Sequence, residues 1–166
     1  MIRLYLVRHA ADEDLDGARR LKRRSKRRFR RIARAFKSLE EPVQIICTGR
    51  KRHVKETADL LARTLRGEVV ELKELSSRKG PDVLLRALAV RCQGLDGIVL
   101  VSHRRQLRRL LATFGIRKGE LRLPKGSIVR IDVDSLSRPR TCVPRFRVKP
   151  SPGELEDAFL GVRKAS

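Results

Sequence analysis

The chain of 166 residues is 40% hydrophobic and only 4% aromatic, which suits one globular domain with a buried core. It has no run approaching the ~20 apolar residues of a membrane-spanning helix, and Arg8 interrupts any signal-peptide pattern. We therefore expect a single cytoplasmic domain, residues 1–166, without membrane contact. The 41 Lys and Arg residues against 19 acidic residues give a net charge of +22. Such a charge attracts polyanions, including nucleic acids, phosphoproteins and small phosphorylated molecules.

Segments with the composition of β-strands alternate along the chain with segments that have the apolar period of an α-helix. The predicted strands are residues 2–7, 44–48, 69–72, 97–102, 127–133 and 145–149. The predicted helices are residues 18–37, 51–66, a helix that opens at Pro81-Asp82, 104–114 and, after a turn at 150–153, a short helix at 154–162. This alternation predicts an α/β fold, a three-layer helix–sheet–helix sandwich with a mostly parallel central sheet. The last two strands have no clear helix between them, so one or both are expected to be antiparallel.

Polar side chains follow three of the predicted strands at the point where each strand ends. The first strand leads into Arg8 and His9, the second into the basic segment Gly49-Arg-Lys-Arg-His53, and the fourth into His103. Because the carboxyl ends of parallel strands share one edge of the sheet, we expect these side chains to meet there. Imidazoles, guanidinium groups and helix N-terminal amides together make a pocket that favours a tetrahedral dianion.

The three cysteines, Cys47, Cys92 and Cys142, are odd in number and far apart in the sequence. They are predicted to be reduced core thiols rather than a disulfide framework. No two residues among these cysteines and His53 are separated by a short spacing typical of metal ligands. The sequence therefore predicts no metal site and no cofactor.

The strand-end motifs resemble those of the histidine phosphatase superfamily, whose first strand ends in Arg-His-Gly. The matching residues are Leu4-Tyr-Leu-Val-Arg-His-Ala-Ala-Asp12 and, for the second histidine strand, Val99-Leu-Val-Ser-His103. Residues 48–62, Thr-Gly-Arg-Lys-Arg-His-Val-Lys-Glu-Thr-Ala-Asp-Leu-Leu-Ala, resemble the family's helix with Ser-Pro, Arg-Ala and Thr-Ala. The length is similar to that of the small SixA-type branch, the protein-phosphohistidine phosphatases. The resemblance covers residues 1 to about 150 and implies the phosphoglycerate-mutase-like fold of that superfamily.

The resemblance also implies a metal-independent mechanism through a phosphohistidine. His9 would be the nucleophile, and Arg8, His103 and one basic residue of the 48–62 segment would hold the phosphoryl oxygens. Glu74 lies where many relatives have the acid that protonates the leaving group, although it also suits a solvated carboxylate at a strand end. Independently of the resemblance, a second basic face follows His103 and could steer phosphorylated substrates to the pocket; it consists of Arg104, Arg105, Arg108 and Arg109.

Two departures from the family pattern are visible in the sequence. Ala10 stands where the family has glycine, and its Cβ could restrict the approach of the backbone to phosphate. The register of the second motif is ambiguous, because counting forward from Thr48 places Arg52 at the phosphate-binding position and counting back from Thr57 places His53 there. We favour Arg52, since a guanidinium group suits phosphate better than an imidazole.

The expected substrate is protein phosphohistidine or a small phosphomonoester. The alternative function is a basic module for nucleic acid or phosphoprotein on a catalytically weakened phosphatase fold, with contact through the basic helix at 18–37. That helix equally fits an amphipathic helix with a solvated face, since Leu21, Phe29, Ile32 and Phe36 form an apolar stripe.

Overall fold

The computed structural model describes residues 1–137, 139 and 141–148, and the backbone of residues 155–157. The strands in this part of the chain are β1 (Ile2–Arg8), β2 (Asp12–Leu15), β3 (Ala18–Leu21), β4 (Ile45–Thr48), β5 (Val69–Glu71), β6 (Gly97–Ser102), β7 (Ile128–Val133), β8 (Cys142–Val148) and β9 (Leu155–Asp157). The helices are α1 (Arg23–Lys37), α2 (Arg52–Leu65), α3 (Pro81–Arg91) and α4 (Arg104–Thr113), with a 3₁₀ turn at Lys73–Ser76.

The central sheet has the strand order β5-β4-β6-β1-β7-β8-β9. Strands β5, β4, β6 and β1 pair in parallel, and β7, β8 and β9 are each antiparallel to the preceding strand in the order. Five of these seven strands therefore run in one direction, which confirms the predicted, mostly parallel sheet with antiparallel additions. The carboxyl ends of β4, β6 and β1 lie together at one edge.

Helices cover both faces of the sheet, because the strands of its centre are apolar on both sides. In β1, Leu4 and Leu6 face the core that holds the apolar side chains of α3 and α4. Tyr5 and Val7 point the other way, into the core formed with α1 and α2. This alternation within one buried strand accounts for the three-layer architecture.

The predicted helix at 18–37 was wrong in its first turn. Residues Ala18–Leu21 form β3, which pairs with β2 in an antiparallel hairpin, and α1 begins only at Arg23. The hairpin turns at Asp16 and Gly17, whose φ angles of 53° and 76° both lie in the left-handed region. Asp-Gly is the sequence that a two-residue turn of this kind favours, so the local signal for the hairpin was present in the sequence.

The predicted helix at 154–162 was also wrong where the structure describes it. The backbone of Leu155–Asp157 is a strand, β9, which pairs with β8. The remainder of that segment and the predicted turn at 150–153 lie outside the described residues. Within the part of the chain that is described, no helix combines the length and the apolar character that crossing a membrane requires.

Candidate active site

The pairing of β1 with β6 brings the two strand-end histidines together. Arg8 lies opposite Ser102 in the parallel register, and the backbone N–H of His9 donates a hydrogen bond of 3.1 Å to the carbonyl oxygen of Ser102. His9 and His103 are the next residues along each strand. Their imidazole centroids are 5.0 Å apart, which confirms that the two side chains share one edge of the sheet.

A third imidazole reaches the same place from the start of a helix. Strand β4 lies on the other side of β6, and the chain turns after it into α2, whose N-cap is Lys51. His53 is therefore in the first turn of α2, and His103 is itself the N-cap of α4. Both imidazoles lie at helix N-termini, where unpaired N–H groups and the helix dipole favour anions.

The three histidines form one compact cluster. The centroid of the His53 ring lies 4.6 Å from that of His9 and 4.9 Å from that of His103. The Nε2 atoms of His53 and His103 are 2.8 Å apart, so one donates a hydrogen bond to the other. His9 and His53 are only 5% and 4% exposed, and His103 is half-buried. The chain contains no other histidine.

The orientation of His9 is fixed by its own neighbour. Its Nδ1 atom lies 2.8 Å from the carbonyl oxygen of Ala10. A carbonyl oxygen can only accept a hydrogen bond, so Nδ1 carries the proton and Nε2 keeps a free lone pair. Nε2 is thus the ring nitrogen of His9 whose lone pair is available for attack or ligation.

Burial keeps the three imidazoles neutral at pH 7. The pKa of His9 is lowered to about 4, chiefly by burial, with smaller contributions from His53 and His103. Burial and the neighbouring His53 lower the pKa of His103 to about 4 as well. The pKa of His53 is also lowered, first by burial and then by nearby cations. Neutral imidazoles have the lone pairs that nucleophilic attack or ligation requires.

Asp12 is a member of the site that sequence reasoning missed. Its carboxylate is 2% exposed and lies 3.7 Å from Nδ1 of His9. Lys125 donates a hydrogen bond of 2.7 Å and Arg19 one of 3.0 Å to its two oxygens. Burial alone would raise the pKa of Asp12, but Lys125 and His9 lower it to about 2, so it is ionised. The only sequence signal was its position three residues after His9.

Thr57 joins the end of β1 to α2. Its hydroxyl accepts a hydrogen bond of 3.1 Å from the backbone N–H of Ala10 and donates one of 2.9 Å to the carbonyl oxygen of His53. The side chain of Ala10 is buried in the core on the α1–α2 face of the sheet. The residue in the glycine position is therefore accommodated within the core.

Arg8 is the last residue of β1, directly before His9, and its guanidinium group lies near Arg104 and Arg108 of α4. Its Nη1 atom donates a hydrogen bond of 2.8 Å to the carbonyl oxygen of Leu123, and its buried Nε has no partner among the described residues. Burial and the charges of Arg104 and Arg108 lower its pKa. A buried guanidinium N–H without a partner is a donor available to an anionic ligand.

The second motif reaches the cluster through His53. Arg52 is the first residue of α2, and its side chain is exposed, whereas His53 is buried against His9 and His103. This placement follows from the helical geometry, because consecutive residues point about 100° apart and only one of them can face the strand ends.

The other predicted residues line neighbouring cavities. Glu74 lines a cavity of about 320 Å³ that shares Ser76 and Ser77 with a cavity of about 160 Å³ at His103. Arg105 also lines the cavity at His103. The exposed Arg104 and Arg105 border a further cavity of about 520 Å³, whose other basic residues are Arg108, Arg109, Arg117 and Lys118. These six residues form the basic rim of the larger cavity, and two of them, Arg105 and Arg109, also line the cavity at His103.

Comparisons with models of protein families and with curated protein sequences each gave no match. Solved structures, however, are similar over most of the chain. The protein histidine phosphatase SixA, in a complex with tungstate, has a TM-score of 0.74 at 16% identity, over 90% of this chain and 97% of its own. A protein of Agrobacterium tumefaciens, assigned as the phosphohistidine phosphatase SixA, has a TM-score of 0.72 at 18% identity, over 90% and 98%.

A protein of Escherichia coli K-12, assigned as an alpha-ribazole-5'-P phosphatase, has a TM-score of 0.67 at 15% identity. That match covers 98% of this chain and 99% of the other. At such identities the likeness concerns the arrangement of the backbone. The chain has the α/β fold of the histidine phosphatases, as its strand-end histidines predicted.

Proposed function

We propose that the protein is a phosphatase that forms a phosphohistidine at His9. The observation that carries this proposal is the placement of His9: its Nδ1 is bound to the Ala10 carbonyl, and its free Nε2 lies in a cluster with His53 and His103 at two helix N-termini. The bound oxyanion of the SixA complex, tungstate, is tetrahedral like phosphate, which supports an oxyanion site on this fold.

In the first step, the lone pair on Nε2 of His9 attacks phosphorus. The bond from phosphorus to the leaving group breaks, and the leaving group departs with the electron pair and takes up a proton from solvent water. Arg8, His53 and His103 bind the equatorial oxygens as negative charge spreads over them. In the second step, water attacks phosphorus, the P–N bond breaks and its electron pair returns to Nε2, releasing inorganic phosphate.

The ring of phosphorylated His9 is cationic, because Nδ1 keeps its proton while Nε2 forms the bond to phosphorus. The protonated Nδ1 donates a hydrogen bond to the Ala10 carbonyl oxygen. The ionised carboxylate of Asp12 lies 3.7 Å from the same nitrogen. Both groups stabilise positive charge on the ring. We assign this electrostatic role to Asp12 and not the role of proton donor, since its low pKa keeps it ionised.

The preferred substrate is protein phosphohistidine, and a small phosphomonoester is the second choice. An imidazole leaving group needs little acid assistance, which suits a site whose predicted acid, Glu74, lies in the adjoining cavity. An alkoxide leaving group would need that proton. The basic rim from Arg104 to Lys118 supports an anionic protein or peptide as the carrier of the phosphoryl group.

In the second phosphate-binding position we propose His53 rather than Arg52, because His53 is the residue in contact with the cluster. Arg52 retains a role only if substrate binding recruits its exposed side chain.

The alternative function, a nucleic-acid or phosphoprotein-binding module with weakened chemistry, gains no support from the comparisons. A cytoplasmic location stays a prediction.

The test compares wild type with His9→Ala on an aryl phosphate and on a phosphohistidine peptide, with chelator present. We expect wild type to hydrolyse both substrates. When its reaction with labelled substrate is quenched, an acid-labile, alkali-stable phosphoenzyme should be recovered. The variant should lose both signals, by about 10³-fold or more in rate, since the nucleophile is missing. Equal rates in the two proteins would refute His9 as the nucleophile, and a silent wild type would refute the proposed function.

A further inference from the structure

The cluster of three histidines has a second chemical capacity besides phosphoryl transfer. One ligand nitrogen from each of His9, His53 and His103 lies within 4.8 Å of the other two. Three imidazoles with an open fourth position form a common set of ligands for a catalytic or exchangeable Zn²⁺ ion. With an arginine at position 53 the chain would have only two imidazoles here, so His53 completes the set.

The dimensions suit a tetrahedral metal ion after a small movement. Zn–N bonds of about 2.0–2.1 Å place two ligand nitrogens roughly 3.3 Å apart. The Nε2 atoms of His53 and His103 are 2.8 Å apart. A metal ion between them requires the two nitrogens to separate by about half an ångström and both rings to turn until their lone pairs meet at the metal. His9 must approach the same point from a ring-centroid distance of 4.6–5.0 Å.

The surroundings of His9 also match those of a metal ligand. A ligating histidine ordinarily donates its second ring N–H to a carbonyl or a carboxylate, which fixes the tautomer and orients the ring. His9 does so through Nδ1 to the Ala10 carbonyl, and the Asp12 carboxylate lies beside that nitrogen. The same bond that prepares Nε2 for attack on phosphorus therefore prepares it for ligation.

The charge near the cluster decides which fourth ligand is favoured. Lys51 and Arg19 act on the imidazoles of both His53 and His103, Lys125 acts on that of His53, and all three charges oppose the approach of a dication. Asp12 offsets part of that charge. A cationic environment favours an anion, such as hydroxide or a phosphate oxygen, in the remaining position on the metal.

We propose that His9, His53 and His103 bind a divalent transition-metal ion, Zn²⁺ or its analogue Co²⁺, with an anion or water as fourth ligand. A metal ion on Nε2 of His9 takes the lone pair that attacks phosphorus. Metal binding and phosphoryl transfer to His9 are therefore mutually exclusive, and the metal-loaded protein is inactive as a phosphohistidine-forming enzyme.

The binding test uses metal-free full-length protein and no phosphorylated substrate. Competition with a chromophoric chelator should give one equivalent of Zn²⁺, and Co²⁺ should give the intense visible d–d bands of a four-coordinate site. His53→Gln should weaken Zn²⁺ binding by more than about tenfold, because loss of even an outer hydrogen-bond partner costs about 10- to 100-fold. Arg52→Gln, its exposed neighbour in α2, and Cys142→Ser should retain the site.

A second measurement needs no variant. The protein has only three histidines, so one equivalent of Zn²⁺ should shift the imidazole NMR signals of all three together. Three results would each overturn the proposal. Wild type could fail to bind zinc stoichiometrically, His53→Gln could retain binding, or the NMR shifts could be confined to one or two imidazoles. If the protein binds zinc but has no phosphatase activity, the metal site is supported and the proposed function is refuted. If the protein is an active phosphatase that binds no zinc, the proposed function is supported and the metal site is refuted.

Discussion

The chemistry of the site depends on where single side chains stand at the ends of strands. His9 and His103 were predictable from sequence, because each follows an apolar strand and parallel strands share an edge. His53 became the third member because it is buried, whereas the adjacent Arg52 is exposed. Chemical preference for a guanidinium favoured Arg52, but the direction of each side chain from α2 favours His53.

Asp12 carries the first prediction at the residue scale. We expect Asp12→Asn to lower kcat by at least about tenfold, equivalent to ~1.4 kcal/mol, because the amide no longer stabilises positive charge on phosphorylated His9. KM should change less, since Asp12 approaches the ring on the Nδ1 side, away from the Nε2 atom that receives the phosphoryl group. Steady-state kinetics on an aryl phosphate measure both parameters.

The matched control is Asp14→Asn, an exposed carboxylate in β2, two residues further along the same strand. It should leave kcat and KM unchanged. A fall in kcat that accompanies a matching fall in thermal stability, or that occurs equally in the control, would contradict a specific electrostatic role for Asp12.

At the scale of elements, a partly buried network of charges joins β7 to β8. Asp132 is 4% exposed and accepts hydrogen bonds of 2.8 and 3.0 Å from Arg130 and one of 2.7 Å from Arg145 in β8. Arg130 also binds Glu41, which accepts the hydroxyl hydrogen of Tyr5 from β1. The network thus connects three neighbouring strands with the loop after α1.

The pH dependence of stability should reveal this network. Burial raises the pKa of Asp132, but the hydrogen bonds from Arg130 and Arg145 outweigh it and lower the pKa overall. A lowered pKa in the folded state stabilises the fold above the ordinary carboxyl range, and this stability is lost as pH falls below it. We expect Asp132→Asn to cost on the order of 3 kcal/mol at pH 7, because it leaves Arg130 partly unpaired.

Denaturant unfolding at a series of pH values measures this effect. The difference between Asp132→Asn and wild type should shrink as the pH is lowered through and below the usual aspartate range. Asp59→Asn, an exposed residue of α2, serves as control and should differ little from wild type throughout. A difference for Asp132→Asn that stays constant at all pH values would show that packing, not charge, accounts for the loss.

At the scale of the whole molecule, the charge of +22 acts over longer distances than any contact. Arg105 and Arg109 belong both to the basic rim of the cavity of about 520 Å³ and to the cavity at His103, so part of this positive charge lies next to the site. Attraction of a phosphorylated substrate should therefore depend strongly on ionic strength, because the Debye length falls from about 30 Å at 0.01 M to about 8 Å at 0.15 M.

We expect kcat/KM for a dianionic aryl phosphate to fall with added salt, mainly through a rise in KM. The double variant Arg104→Gln, Arg105→Gln should show a shallower salt dependence with a similar kcat, since these residues steer the substrate without contacting the reacting atoms. Initial rates at several salt concentrations measure both slopes. Identical slopes in the two proteins would show that these arginines do not steer.

Much of the fold was predictable from the sequence by itself. The apolar runs and their period determined the main strands, four of the helices and the layered architecture, since burial on two faces leaves a clear pattern. The errors came where local signals competed. The apolar period of α1 concealed the Asp16-Gly17 hairpin, and the segment at 155–157, read as helix, pairs with β8 as an edge strand.

The sequence by itself also determined that two histidines and a basic helix start lie at the ends of strands, because these positions follow from order along the chain. Only the tertiary structure decided which side chains meet. His53 lies 50 residues from His103 in the sequence, and their contact depends on the order β4-β6-β1 together with the direction of one turn of α2. The three-histidine cluster likewise has no short spacing to reveal it, since contacts between distant segments are created by strand pairing.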